Sequence, residues 1–314
     1  MDKKRIETLL FLFSVLSLLS GCQSTDSSRL FSVSPLDPNL ARIDGLSIND
    51  KPLNESTDEE YLIIVAGHIY GSHKSTAPHP AQSFINKLSY FADLNPSLMI
   101  LLGDIVPRGS TADFQDLEES ILFDQDYPIF NAVGNHDVEN RQLYEDRYGS
   151  TYFYFPYRSA YFIILDTELD NCKISGDQLE MLERSLNNAV NDAQISQIFI
   201  FTHKVLFFDQ GLYQRLNNDQ SNLPNDRYSC LFSHNYSRLL TDLFLPAAEI
   251  KPVYLLAGDV GAWGGNLTPY QARYQGSDFH LFTTGLGDTA QDSVILVNIK
   301  GDRVDIKYLK LINE

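Results

Sequence analysis

The pattern that most constrains this chain is repeated five times. A short apolar run stops abruptly at a cluster of glycine, histidine or aspartate. Tyr61–Ala66 runs into Gly67-His68-Ile69-Tyr70-Gly71, and Ser97–Leu102 into Gly103-Asp104-Ile105. Pro128–Val133 meets Gly134-Asn135-His136-Asp137, Gln197–Phe201 meets Thr202-His203-Lys204, and Pro252–Ala257 meets Gly258-Asp259-Val260-Gly261. Apolar runs this short, bounded by turn residues, predict buried strands. Helical spacing is expected over 81–92, 113–123, 176–189 and 237–248, with Leu179, Leu182, Leu186 and Val190 forming the apolar stripe of the third. Further strands are expected at 160–165, 280–284, 293–299 and 304–309. Strands alternating with helices predict an α/β fold with parallel strands and helices outside. The carboxyl ends of such strands open on one crevice, so the five polar clusters should gather there.

Composition narrows the class. Hydrophobic residues make up 43% and charged residues 21%, which fits a globular body and excludes whole-chain disorder or a multi-span membrane protein. The formal charge of −17 repels a phosphate backbone, so no nucleic-acid binding is expected. Three cysteines are too few for a disulfide scaffold.

The N-terminus reads as an address. Lys3, Lys4 and Arg5 precede an apolar run from Leu9 to Leu19 that is short for a membrane span and fits a signal-peptide core. It ends in Leu19-Ser20-Gly21-Cys22, which resembles the bacterial lipobox, with Cys22 as the lipidated residue. That resemblance implies a signal peptide over 1–21 and lipid anchoring in the cell envelope. Gln23 after the cysteine leans towards the outer membrane, facing the periplasm. Residues 22–57, rich in Ser, Asp, Asn and Pro, are expected to be a flexible tether, and 58–314 one domain.

The ordered blocks G-D, G-N-H-D and a lone strand-end His resemble the calcineurin-like metallophosphoesterases over roughly residues 61–300. The late Thr284-Gly285-Leu286-Gly287 is part of that likeness. The resemblance implies a four-layer αββα sandwich of two mixed sheets, with two metal ions held between strand-end loops. It implies hydrolysis of a phosphomonoester or phosphodiester by attack of metal-bound hydroxide. Asp104 matches the bridging carboxylate, Asn135 and His203 match further ligands, and His136 matches the catalytic histidine with Asp137 orienting its ring. Such a mixed donor set suits Mn, Fe or Zn.

Two blocks depart from the family pattern. Asp-x-His is replaced by His68-Ile69-Tyr70, and Gly-His-x-His by Gly258-Asp259-Val260-Gly261. One site, built from Asp104, Asn135, His203 and Asp259, is therefore expected to hold a divalent ion firmly. The other loses ligands, with His68 a remaining candidate donor and Gly261 offering no side chain. His73 and His79 follow the first block as replacement donors or solvated loop residues, Tyr70 reads as pocket wall, and Trp263 as part of the rim or as ordinary packing. The long 205–236 segment reads as a substrate-contacting loop or a surface insertion.

Cys172 and Cys230 follow two strands joined by a helix, which places both on one edge and predicts a disulfide in an oxidising compartment. The function expected is an extracytoplasmic metallophosphoesterase with an unidentified phosphoester substrate. A scaffold that has lost hydrolysis and binds a ligand or envelope partner is the alternative. Cleavage of another ester through a single metal is a third reading, and no Gly-x-Ser-x-Gly elbow supports serine-hydrolase chemistry.

Overall fold

In the computed structural model, residues 47–53, 58–72, 80–207, 235–260 and 270–312 are described. Cys22, His73, His79, Cys230, Gly261, Trp263 and residues 208–234 lie outside them. Eleven strands form two mixed sheets among these residues. The first has the order β11-β10-β1-β2-β3, with β1 Glu60–Ala66, β2 Leu98–Leu101, β3 Ile129–Asn131, β10 Ser293–Lys300 and β11 Arg303–Lys310. The second has the order β4-β5-β6-β7-β9-β8. Its strands are β4 Phe153–Tyr157, β5 Ala160–Ile164, β6 Gln197–Thr202, β7 Val253–Ala257, β8 Tyr270–Arg273 and β9 Phe279–Thr283.

β1, β2 and β3 run parallel, as do β5, β6, β7 and β9, while the remaining pairings are antiparallel. Parallel strands covered on both faces read as continuous apolar runs, and here the period of two sorts each run onto two cores. Ile63, Val65, Leu98 and Ile100 point between the sheets. Ile64, Ala66, Met99 and Leu101 point outward and meet Phe84, Phe91, Phe114 and Leu117. Those four come from three short helices, α1 Gln82–Ile85, α2 Leu88–Asp93 and α3 Thr111–Leu117. On the other side α4, Gly176–Asn191, buries Leu182, Leu186 and Ala189 and packs against β5. The result is the two-sheet, helix-flanked sandwich that the family resemblance implied, with the parallel strands that the strand pattern predicted.

Register in the second sheet is held by an aromatic row. Phe155 lies opposite Phe162, Phe162 opposite Phe199, Phe199 opposite Tyr254, and Tyr254 opposite His280. Their ring centroids are 5.1, 5.5, 4.8 and 4.8 Å apart, each pair stacked. A slip of one residue would turn every one of these rings to the opposite face, so the row specifies the pairing as well as filling the core.

Some elements depart from the sequence reading. The helix expected over 81–92 is broken between Ile85 and Leu88, and that over 113–123 widens into a π turn at Glu118–Leu122. β4 lies outside the strands expected from the sequence, and Pro156 interrupts it. It forms as an edge strand, where a missing N–H costs no ladder bond. The body also begins before residue 58. Ile48 N–H donates to the Ile129 carbonyl at 2.8 Å, and the Asn49 side chain bonds the Tyr127 carbonyl and the Ile129 N–H. Residues 47–49 thereby cover the open edge of β3, which shortens the tether expected over 22–57.

Candidate metal centre

Five strand ends carry the polar clusters, three from the first sheet and two from the second, and close backbone approach brings them together. A Cβ on Gly67 would lie 2.5 Å from the Thr284 carbonyl oxygen and 2.7 Å from Gly258 Cα. Only glycine lets the ends of β1 and β7, one from each sheet, meet this closely. His68 and Asp104, each directly after the glycine that follows β1 or β2, both sit in the left-handed region at φ 54° and 53°. Outside glycine that conformation is uncommon, and it persists where surrounding structure holds it, as at functional sites. It turns both side chains back over the strand ends.

His68, Asp104 and Asp259 place one donor atom each within 4.8 Å of one another, all buried. His68 Nε2 is 3.5 Å from Asp104 Oδ2. His203 Nε2 is 3.5 Å from the same oxygen and 3.6 Å from Asp259 Oδ1. Two donors at about 2.1 Å from one tetrahedral ion lie about 3.4 Å apart, so these separations suit a shared ion. Both histidines are oriented from behind. His68 Nδ1 lies 2.9 Å from the Leu286 carbonyl and His203 Nδ1 2.8 Å from the Leu102 carbonyl. A ring N–H donated to each carbonyl leaves the Nε2 lone pair facing the cluster, the arrangement that metal-ligating histidines use.

The decisive atom is His203 Nε2, which is buried and has no hydrogen-bond partner in the protein. A buried polar atom left this way costs free energy unless something outside the chain meets it, and a divalent cation does so. Burial pushes the Asp104 carboxyl up, but His203, His68, His136 and Lys204 around it outweigh this and hold it below its ordinary range. An ionised carboxylate is the form a metal needs. His68, Asp104 and Asp259 therefore form a cluster that fits a metal ion, with His203 Nε2 beside its two carboxylates.

Asn135 does not join them. Its Oδ1 accepts a hydrogen bond from Lys204 Nζ at 2.6 Å, and the same ammonium donates to Asp259 Oδ2 at 2.9 Å. Of the residues expected as donors, His68, Asp104 and Asp259 cluster, His203 lies beside the two carboxylates, and Asn135 is turned to lysine. Lys204 stands in the fourth polar block, where its place beside His203 is the one sequence signal for it. Glu168, 3.9 Å from Lys204 Nζ, has none, since nothing in the local sequence marks it.

Asp137 does not orient the His136 ring. It is fully buried, and its carboxylate accepts from the N–H groups of Gly134, Asp104 and Ile105 at 2.8–2.9 Å, with Val106 N–H and Asn131 Nδ2 further out. Burial pushes its pKa up to about 6, against the pull of the donors at Gly134 and Asn131. Its work is to tie the β2 and β3 loops together. The His136 ring is oriented instead by the Pro107 carbonyl, 2.7 Å from Nδ1, while Nε2 faces the Tyr70 hydroxyl at 3.4 Å. The Tyr70 ring lies between those of His68 and His136. Arg108 is engaged by Asp113 and so is turned away from this cluster.

Two β-sheets flanked by helices, with histidine and aspartate donors converging where strand ends meet, define a hydrolase scaffold of the metal-dependent kind. The chain belongs to the calcineurin-like phosphoesterase family, whose model matches residues 68–238. Among solved structures it is similar to the purple acid phosphatase PPD1 from yellow lupin (Lupinus luteus) seeds, with a TM-score of 0.55 and 12% identity. That likeness, which is one of fold, covers 83% of this chain and 53% of the lupin chain, so this chain spans about half the length of that relative. A search of curated proteins returned no match.

Proposed function

We propose that this protein is a phosphoesterase that works with one firmly held divalent transition metal ion, Mn, Fe or Zn, on a phosphomonoester or phosphodiester. The observation that carries the reading is the buried, unpartnered Nε2 of His203 converging with Asp104 and Asp259. An ion held by His68, Asp104 and Asp259, with His203 beside it, would supply Lewis acidity and would lower the pKa of a bound water towards neutral. The chain supplies the rest. The His136 ring, 30% exposed at the rim, is fixed through Nδ1 and presents Nε2 as the proton donor to a leaving oxygen. Tyr70 walls the side between that ring and His68, and burial keeps its hydroxyl protonated by pushing its pKa well up. Leu19-Ser20-Gly21-Cys22 supports placing this activity outside the cytoplasm, on a lipid anchor at Cys22 in the cell envelope.

Metal-stripped protein reloaded with Mn or Zn should turn over an aryl phosphoester, and Asp104→Asn should lose both metal and turnover. Retained metal with no turnover on mono- or diesters would favour the second reading, a scaffold that binds a ligand or envelope partner. The observation in favour of that reading is Asn135, whose amide oxygen is taken by Lys204.

A further inference from the structure

The ammonium of Lys204 is a buried charge with no part in the chemistry above. Its side chain is 4% exposed. Asn135 Oδ1 lies 2.6 Å from Nζ, Asp259 Oδ2 2.9 Å, and Glu168 Oε1 3.9 Å. One amide oxygen and two carboxylates around a single buried point are an oxygen donor set of the kind that holds a divalent cation. Asp259 links this point to the metal cluster. Its Oδ1 faces His203 Nε2, and its Oδ2 faces Lys204. One carboxylate therefore serves two adjacent cation positions, as a bridging acid does between paired metals.

The strand end aims the lysine. Lys204 N–H donates to Thr167 Oγ1 at 3.2 Å, and its carbonyl accepts from Thr202 Oγ1 at 2.9 Å. The backbone on both sides of the side chain is thus held. Burying an ammonium is costly unless it is paired, and here the pairing comes from oxygens of Asn135, Asp259 and Glu168, groups of the kind that also bind metals.

We propose that Lys204 is a built-in second cation. Its ammonium stands at the position where Asn135, Asp259 and Glu168 would hold a second metal ion, keeps that ion out, and supplies fixed positive charge beside the first. Exclusion is steric as well as electrostatic. An ion would need to sit about 2.0–2.2 Å from the same oxygens, inside the space that Nζ fills. The proposal rests on the one-metal function and deepens it by assigning the second half of the charge to the chain itself.

Metal counting tests it without relying on turnover. The mature chain is stripped, loaded with excess Mn(II) and dialysed. Bound ions are counted by elemental analysis, and electron paramagnetic resonance reads whether two ions are coupled. Wild type should hold a single, uncoupled ion. Lys204→Ala should gain another, with a coupled signal. Lys204→Ser, a short polar side chain that leaves the space of Nζ open, guards against an alanine variant that does not fold, and should gain the ion too. Two ions in wild type overturn the proposal whatever the variants do, and so does a single ion in a folded Lys204 variant. A wild type without any ion would refute the one-metal function. A variant that then gained an ion would still support the exclusion by Lys204.

Discussion

His136 and Asp137 are neighbours with separate tasks, and two substitutions should separate them. The His136 ring contacts none of His68, Asp104, His203 and Asp259 through its nitrogens, which face the Pro107 carbonyl and the Tyr70 hydroxyl. His136→Ala should therefore keep its metal content while turnover falls about a hundred- to ten-thousandfold, the usual worth of a positioned proton donor. Elemental analysis beside aryl phosphoester kinetics checks this, and lost metal would show that the ring is a ligand. Asp137 binds backbone N–H groups of two loops from a site with no solvent access. Asp137→Ala strands those donors, and should destabilise the fold by about 3 kcal/mol or more. Urea unfolding measures it, and a change under about 1 kcal/mol would mean that water replaces the carboxylate.

At the level of elements, the aromatic row across β4, β5, β6, β7 and β9 turns pairing register into packing. Phe162 stands in its middle, stacked on Phe155, Phe199 and Phe201 and fully buried. Phe162→Ala should cost about 3–5 kcal/mol through lost contacts and a cavity. Phe123, 63% exposed on the outer surface, is the control, and its change to alanine should stay within about 0.5 kcal/mol. Comparable losses from the two, read by thermal or urea unfolding, would mean that the row does not hold the sheet. β4 joins that row in spite of Pro156, because its ladder runs on one side only.

For the whole molecule, the expectations that remain concern its ends and its thiols. No helix among the described residues is long and apolar enough to cross a membrane. Cys22 lies outside those residues, and lipidation there is a proposal from the sequence alone. Cys22→Ser should move the protein from the membrane fraction to the soluble one, and equal partition of both forms would end the lipoprotein reading. Cys172 is disulfide-bonded, with its partner beyond the described residues. We propose Cys230, and β5 and β6, which lead to the two cysteines, do run parallel as that pairing requires. Peptide mapping of the unreduced mature protein should find Cys172 linked to Cys230, and a Cys172–Cys22 peptide would refute it.

The strands, their parallel sense and the gathering of polar blocks were legible in the sequence, since each is written in a contiguous run. Tyr61–Ala66 is apolar throughout because both of its faces are covered, and Gly67 with His68 marks where the strand ends. The metal-binding cluster was not legible in the same way. Ligand choice depends on where side chains from five separate loops point, and no local pattern encodes that. Lys204 is adjacent to His203 in sequence, yet its ammonium meets Asn135, 69 positions away, and Asp259, 55 positions away. Only the meeting of two sheets at Gly67 and Gly258 brings those atoms to hydrogen-bond distance, and that meeting decides that Asn135 faces a lysine while His68 faces the carboxylates.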